Sequence, residues 1–302
     1  VRLAIPDLIS NSYFPALAAA ELGCFAAEGL DVSAELIFPV DRAYRALRDG
    51  EVDLVASAAH GALAAFPEWR GVRLLAALAQ GMYWFLVMHA DLGVARGDLA
   101  GVKGRRIGAA PWVEMGLRHL LAAGGIDLRR DAVRIAPVPG AAGSSVNFGL
   151  TAARALERRE IDGFWANGMA AEIAVAEGFG TIVLDVRRGD GPPGCFGYTF
   201  GALAARADLP GETAAAVVRA LVAAQRLLKA DPGRAAEIGA RRFPAREAGL
   251  IAGIVARDLP YYDAAIAPAG LAAVNEFARA MSLVDEDADY RRVVAAEFAD
   301  LW

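Results

Sequence analysis

Lysine is almost missing from this chain: Lys103 and Lys229 are the only two. A Schiff-base cofactor needs a lysine in a cleft, and a phosphate-binding loop needs one behind its glycines. Lys103 stands near a strand start and Lys229 near a helix end, so neither suits. Histidine is nearly as scarce, and His60, His89 and His119 lie far apart, without metal-ligand spacing. Cys24 and Cys195 are equally isolated; they read as buried thiols, or as a disulfide in an oxidising compartment. Ser57 and His60 lack the glycine-flanked elbow of a hydrolase, and no acid partner stands out. A net charge of −5 argues against nucleic acid or an anionic membrane as partner. Long apolar runs are absent too. Leu74–Met88 is interrupted at Gln80 and Gly81 and is shorter than the roughly 18–20 residues that span a bilayer; it reads as two buried strands. No catalytic residue, metal or cofactor is therefore expected.

What is present is a 302-residue chain, 56% hydrophobic and 22% charged, with ample core for one large or two ordinary domains. It starts at Val1 inside a strand-like run, so a processed or trimmed N-terminus is expected, with any export signal removed.

The strongest signal is internal repetition. Ala155–Asn167 echoes Ala46–Ser57: a helix end, charges, an acidic residue, a β-branched residue, an aspartate, then an apolar run into a small polar residue. Arg2–Pro6 answers Arg106–Pro111, Gly29–Val32 answers Gly125–Leu128, and Ile37–Pro39 answers Ile135–Pro137, at offsets of 96 to 109 residues. Four echoes in one order imply a duplicated α/β lobe.

Strands alternate with helices, which implies mainly parallel sheets with helices on both faces. Residues 1–89 plus 197–302 make the first lobe and 90–196 the second, with a hinge near 88–91 and 190–198. Gly140–Ser145 reads as a connecting loop, and the chain after Pro210 as helical.

Ligands of open parallel sheets sit beyond the carboxyl ends of the strands. That rule selects Asn11, Ser12 and Tyr13, then Ser57 and His60, then Trp84, Trp112 and Glu114, and finally Trp165, Asn167, Tyr198 and Thr199. The three tryptophans either pack between lobes or wall a flat or cationic ligand. Asn11, Ser57 and Asn167 either cap helices or hydrogen-bond a ligand, and Glu114 suits a first helical turn with or without one.

Leu22–Val32, carrying Gly23, Phe25, Glu28, Gly29 and Asp31, together with Gly50–Val55, resembles a family. It is the periplasmic solute-binding proteins of ABC importers in the sulfonate, taurine, nitrate and thiamine-precursor group, the NMT1/THI5-like proteins. The resemblance covers nearly the whole chain. It implies a two-lobed type II periplasmic binding protein fold with a ligand cleft between the lobes, and a monomer that delivers its cargo to importer permease subunits outside the cytoplasm. It also carries binding elements onto Asn11 to Tyr13, Ser57 to His60, Trp112, and Trp165 to Asn167. With aromatics at the strand ends, the expected ligand is a small planar aromatic or heterocycle, pyrimidine-like. One alternative is a small organic oxyanion such as a sulfonate, although the candidate loops hold no arginine. Another is an enzyme of thiamine-precursor synthesis using His60, although the cysteine cluster of such a synthase is missing.

Overall fold

The computed structural model describes residues 1–141 and 147–302; most of the Gly140–Ser145 loop lies outside the described residues. Among the described residues ten strands follow one another: β1 (Arg2–Ile5), β2 (Ser33–Leu36), β3 (Leu54–Ala58), β4 (Val72–Ala79), β5 (Phe85–His89), β6 (Arg106–Ala109), β7 (Arg134–Ala136), β8 (Gly163–Ala166), β9 (Gly180–Asp185) and β10 (Gly201–Arg206). They form two five-stranded sheets, ordered β2-β1-β3-β10-β4 and β7-β6-β8-β5-β9. The two orders are one topology, with β6, β7 and β8 in the places of β1, β2 and β3.

The echoed motifs explain why. Asp53 follows the helix Val40–Arg48, and its carboxylate accepts the backbone N–H of Arg2 at 2.7 Å. Asp162 does the same for Arg106 at 2.8 Å. The two arginines then reach back to backbone carbonyls of the preceding turn, Gly50 at 2.9 Å and Arg159 at 3.2 Å. The repeated aspartate therefore pins the first strand of each lobe to the third. Its role is structural, and it sits at the sheet end remote from the cleft.

Each sheet is mixed. β1 runs parallel to β2 and β3, and β6 runs parallel to β7 and β8, while β10 and β5 run antiparallel to both of their neighbours. The reversed strand in each lobe is the first after a crossing. A chain leaving one sheet at its carboxyl edge enters the other sheet from the cleft side and must run outward. Because β5 pairs with β8 and β9, the chain leaves the first sheet between Ala79 and Phe85, earlier than the crossing expected at 88–91. The return passage lies between Asp185 and Gly201.

Strands β3, β5 and β8 are buried along their whole length, as expected where helices cover both faces. The long helix Gly211–Ala230 turns Ala214, Val217, Val218, Leu221 and Leu228 inward at helical spacing. It packs on the alanine-rich helix Phe14–Glu21, whose small side chains allow close approach. The tail does not stay with the first lobe. The helix Ala245–Asp258 packs on Gly168–Ala176 of the second, with Arg257 bonded to Glu172 at 2.9 Å and Arg246 paired with Glu177. The C-terminal segment thus straps the two lobes together.

Candidate functional site

A cavity of about 30 Å³ lies where the carboxyl ends of both sheets meet. The first lobe supplies Pro6, Asp7, Ser10 and Tyr13 after β1, and Phe38 and Val40 after β2. The second supplies Ala110 and Val113 after β6, Ala166 and Asn167 at the end of β8, and Phe148 at the start of a helix. Trp84, on the first crossing, completes the wall. Phe38 and Phe148 also border an outer, mostly apolar hollow of about 360 Å³ with Pro39, Pro111, Pro137 and Val138. Their rings face each other across the lobes with centroids 5.9 Å apart and planes 16° from parallel.

Asp7 is the one charged side chain among the described residues of the inner wall. Its Oδ2 accepts from the Asn167 amide at 2.6 Å and from the Gly149 backbone N–H at 3.4 Å, both in the other lobe. Its Oδ1 is buried and has no partner among the described residues, and the same is true of the Ser10 hydroxyl. Burial pushes the Asp7 carboxyl up to about 7, against the opposing pull of the Gly149 N–H, of the nearby Ile9 N–H, which makes no hydrogen bond to the carboxyl, and of the Asn167 amide. Tyr13 accepts from the Tyr83 hydroxyl at 2.6 Å, and burial raises its pKa to about 12, so its own proton is available to point elsewhere.

Several polar residues expected to face a ligand instead join the lobes. Asn11 accepts from the Gly168 N–H at 3.1 Å through Oδ1 and donates to Asp258 through its amide. A side chain at Gly168 would put its Cβ 2.8 Å from Asn11 Oδ1, and one at Gly149 would lie 2.7 Å from Asn167 Nδ2. Glycine at 168 lets the lobes meet, and glycine at 149 lets its helix close on Asn167 within the second lobe. Asn167 caps its own helix through Oδ1, on the Ala170 N–H at 3.1 Å, while its amide reaches Asp7. His60 sits wholly buried between Thr199 Oγ1 at 3.0 Å on Nδ1 and the Trp112 carbonyl at 3.1 Å on Nε2. A carbonyl only accepts, so Nε2 carries the proton and Nδ1 accepts from the Thr199 hydroxyl. Burial holds the imidazole neutral, its pKa lowered to about 4 despite the Trp112 carbonyl. Trp112 is left-handed, with φ +68°, a conformation costing on the order of 1–3 kcal/mol for a bulky residue, and His60 holds its carbonyl in place.

A buried ionic cluster stands at the return crossing. Arg187 and Asp258 are each 1% exposed and meet at 2.6 Å. Arg187 also donates to Ser12 Oγ at 2.8 Å and the Gln80 carbonyl at 2.9 Å, and stacks its guanidinium on Tyr83 and Tyr261. Arg188 takes the other Asp258 oxygen at 2.5 Å. Both chain crossings and the C-terminal strap are thereby tied at one point. Breaking such a pair leaves a buried charge uncompensated, at a cost of about 3–5 kcal/mol.

Of the residues selected from sequence, the structure brings Tyr13, Trp84 and Asn167 to the cavity wall. Asn11, Ser12, His60 and Thr199 are engaged with other protein groups, as described. Ser57 is buried behind the wall with its hydroxyl unpartnered. Trp165 is fully buried against Trp84, ring centroids 6.2 Å apart, and Trp112 lies over His60 at 6.4 Å. Neither lines the cavity, so the walls are Phe38, Phe148 and Trp84 rather than Trp112 and Trp165. Glu114 pairs with Arg118 one turn on, at 3.3 Å. Tyr198 stacks on Phe277 and touches His119. Cys24 and Cys195 are both buried and unpaired. Sequence reasoning passed over Asp7, Ser10, Phe38 and Phe148. The first three immediately follow β1 or β2, so the strand-end rule that chose Asn11 to Tyr13 reaches them too. Among the described residues no group of three His, Cys, Asp or Glu side chains is placed to hold a metal ion.

Solved structures with this architecture include periplasmic binding proteins and an enzyme. A Bordetella bronchiseptica RB50 protein superposes with a TM-score of 0.77 at 21% identity, over 99% of this chain and 95% of its own. The alkanesulfonate-binding protein SsuA of Xanthomonas axonopodis pv. citri, bound to MOPS, gives 0.70 at 15% identity over 97% of both chains. The desulfurization enzyme DSZB gives 0.64 at 15% identity, over 99% and 97%. At these identities the likeness establishes a shared two-lobed fold. No curated protein sequence matches the chain. The NMT1/THI5 like family matches residues 10–235, three quarters of the sequence, and the chain belongs to that family.

Proposed function

We propose that the protein is an extracytoplasmic solute-binding protein that closes its lobes over a small flat ligand and delivers it to the permease subunits of an ABC importer. The supporting observation is the cavity itself, walled by strand ends of both lobes, with Phe38 and Phe148 facing each other across the division. A ring seated between them needs about 7 Å, two aromatic contacts of roughly 3.5 Å each. Even the centroids are only 5.9 Å apart, so the lobes must part for a flat aromatic or pyrimidine-like heterocycle to enter. Hydrogen bonds from Asn11, Asn167 and His60 across the cleft contribute about 1 kcal/mol each, a scale on which ligand contacts can shift a hinge equilibrium.

The enzyme alternative finds less support: both ring nitrogens of His60 are engaged, and its side chain is not part of the wall. The oxyanion alternative lacks a cation among the described lining residues. Titration followed by intrinsic fluorescence tests the proposal, since Trp84 lies in the wall. Flat aromatics should quench or shift emission at lower concentration than alkanesulfonates do. A ranking with aliphatic sulfonates above every aromatic would overturn the ligand assignment.

A further inference from the structure

We infer that Asp7 anchors the ligand and that the ligand therefore carries a positive charge on a flat ring, as an amidinium or protonated amino-heterocycle does. This rests on the reading of the cleft as a ligand trap and names what the trap selects.

One carboxylate oxygen of Asp7 is fully used, by Asn167 and Gly149. The other is buried at the cavity with no partner among the described residues. Buried polar atoms are nearly always paired, and one left over calls for an explanation. A second unpaired acceptor, the Ser10 hydroxyl, lies on the same loop and the same wall. No lysine or arginine lines the cavity among the described residues, so an anionic guest meets a carboxylate and nothing to balance it. A cationic N–H donor meets the missing partner of Oδ1. The dimensions agree: about 30 Å³ around Asp7 takes a small donor head, while the ring sits between Phe38 and Phe148 and any further bulk extends into the apolar hollow of about 360 Å³ that they also border.

Ionisation supports the same assignment. The carboxyl, raised to about 7 by burial, must give up its proton to bind a cation, while Tyr13, the other titratable group in the wall, stays neutral with its pKa near 12. Affinity for a permanent cation should therefore fall about 20-fold between pH 7.5 and pH 5.5.

Benzamidine, benzamide and benzoate share one flat body and carry charges of opposite sign or none. Calorimetric titration of the ligand-free protein should rank benzamidine at least tenfold above benzamide, with benzoate weakest. Benzamidine should weaken with falling pH as stated, and Asp7→Asn should bring benzamidine to within about twofold of benzamide. If that variant does not fold, the wild-type ranking and pH series decide. Benzoate binding as tightly as benzamidine, or benzamidine affinity indifferent to pH, would overturn the role of Asp7 and leave the trap intact. Binding by none of the three would overturn both.

Discussion

Replacing Asp7 by asparagine should stabilise the ligand-free protein at high pH and do little at low pH. Burial raises the folded-state pKa of Asp7 from 3.8 to about 7. Below pH 3.8 the carboxyl is protonated in both folded and unfolded chains, and it imposes no charge penalty. As pH rises, the unfolded chain ionises first and the folded state is disfavoured progressively, until the penalty levels off above pH 7. At roughly 1.4 kcal/mol per pH unit, the full penalty is about 4 kcal/mol. Asparagine keeps the shape, can accept from Asn167 through its carbonyl oxygen, and escapes the titration. Urea unfolding of both proteins from pH 4 to pH 8 isolates the effect, because every other titrating group cancels in the difference. With a slope of about 3 kcal/mol per molar urea, the variant's midpoint should exceed the wild type's by about 1 M at pH 8 and converge with it near pH 4. A difference that stays flat across this range, or an asparagine variant less stable at pH 8, would falsify the assignment of a buried, unpaired carboxyl. A binding group that weakens its own fold is the expected signature of a site built for a partner.

His60 titrates in the opposite sense. Its folded-state pKa is depressed to about 4 from 6.5, so its stability contribution is present above pH 6.5 and is lost as pH falls toward 4, a change of about 3 kcal/mol. In His60→Gln, an amide can donate to the Trp112 carbonyl without titrating, and the same urea series should show a flatter acid limb; parallel curves for the two proteins would refute a buried neutral imidazole. Arg187→Ala should lower stability by about 3 kcal/mol near neutral pH, because among the described residues Asp258 keeps only Arg188 and Asn11 as polar partners. Loss of less than about 1 kcal/mol in denaturant unfolding would mean that the crossing is not tied at this point.

The repeated grammar of Arg2–Asp53 and Arg106–Asp162 was legible from sequence because each element is local. A helix stop, a turn and an aspartate at fixed spacing build the same strand–helix–strand unit wherever they occur. Strand ends, and hence the cleft's general position, follow from the same local pattern. The sheet that β5 joins is different: its apolar run suits either lobe, and only hydrogen-bonding to β8 and β9 decides it. The polar residues near the cleft divide in the same way. Asn11 and Asp7 stand four residues apart on one loop, and nothing in their identities says which faces a ligand. Packing decides it, since the ionic cluster at Asp258 and the helix start at Gly168 consume Asn11, whereas one oxygen of Asp7 is left over. Likewise Trp112 and Trp165 could have faced the cleft by their place in the chain. Trp112 is turned by His60, which meets it across the lobes, and Trp165 by Trp84, which the pairing of β5 with β8 brings beside it.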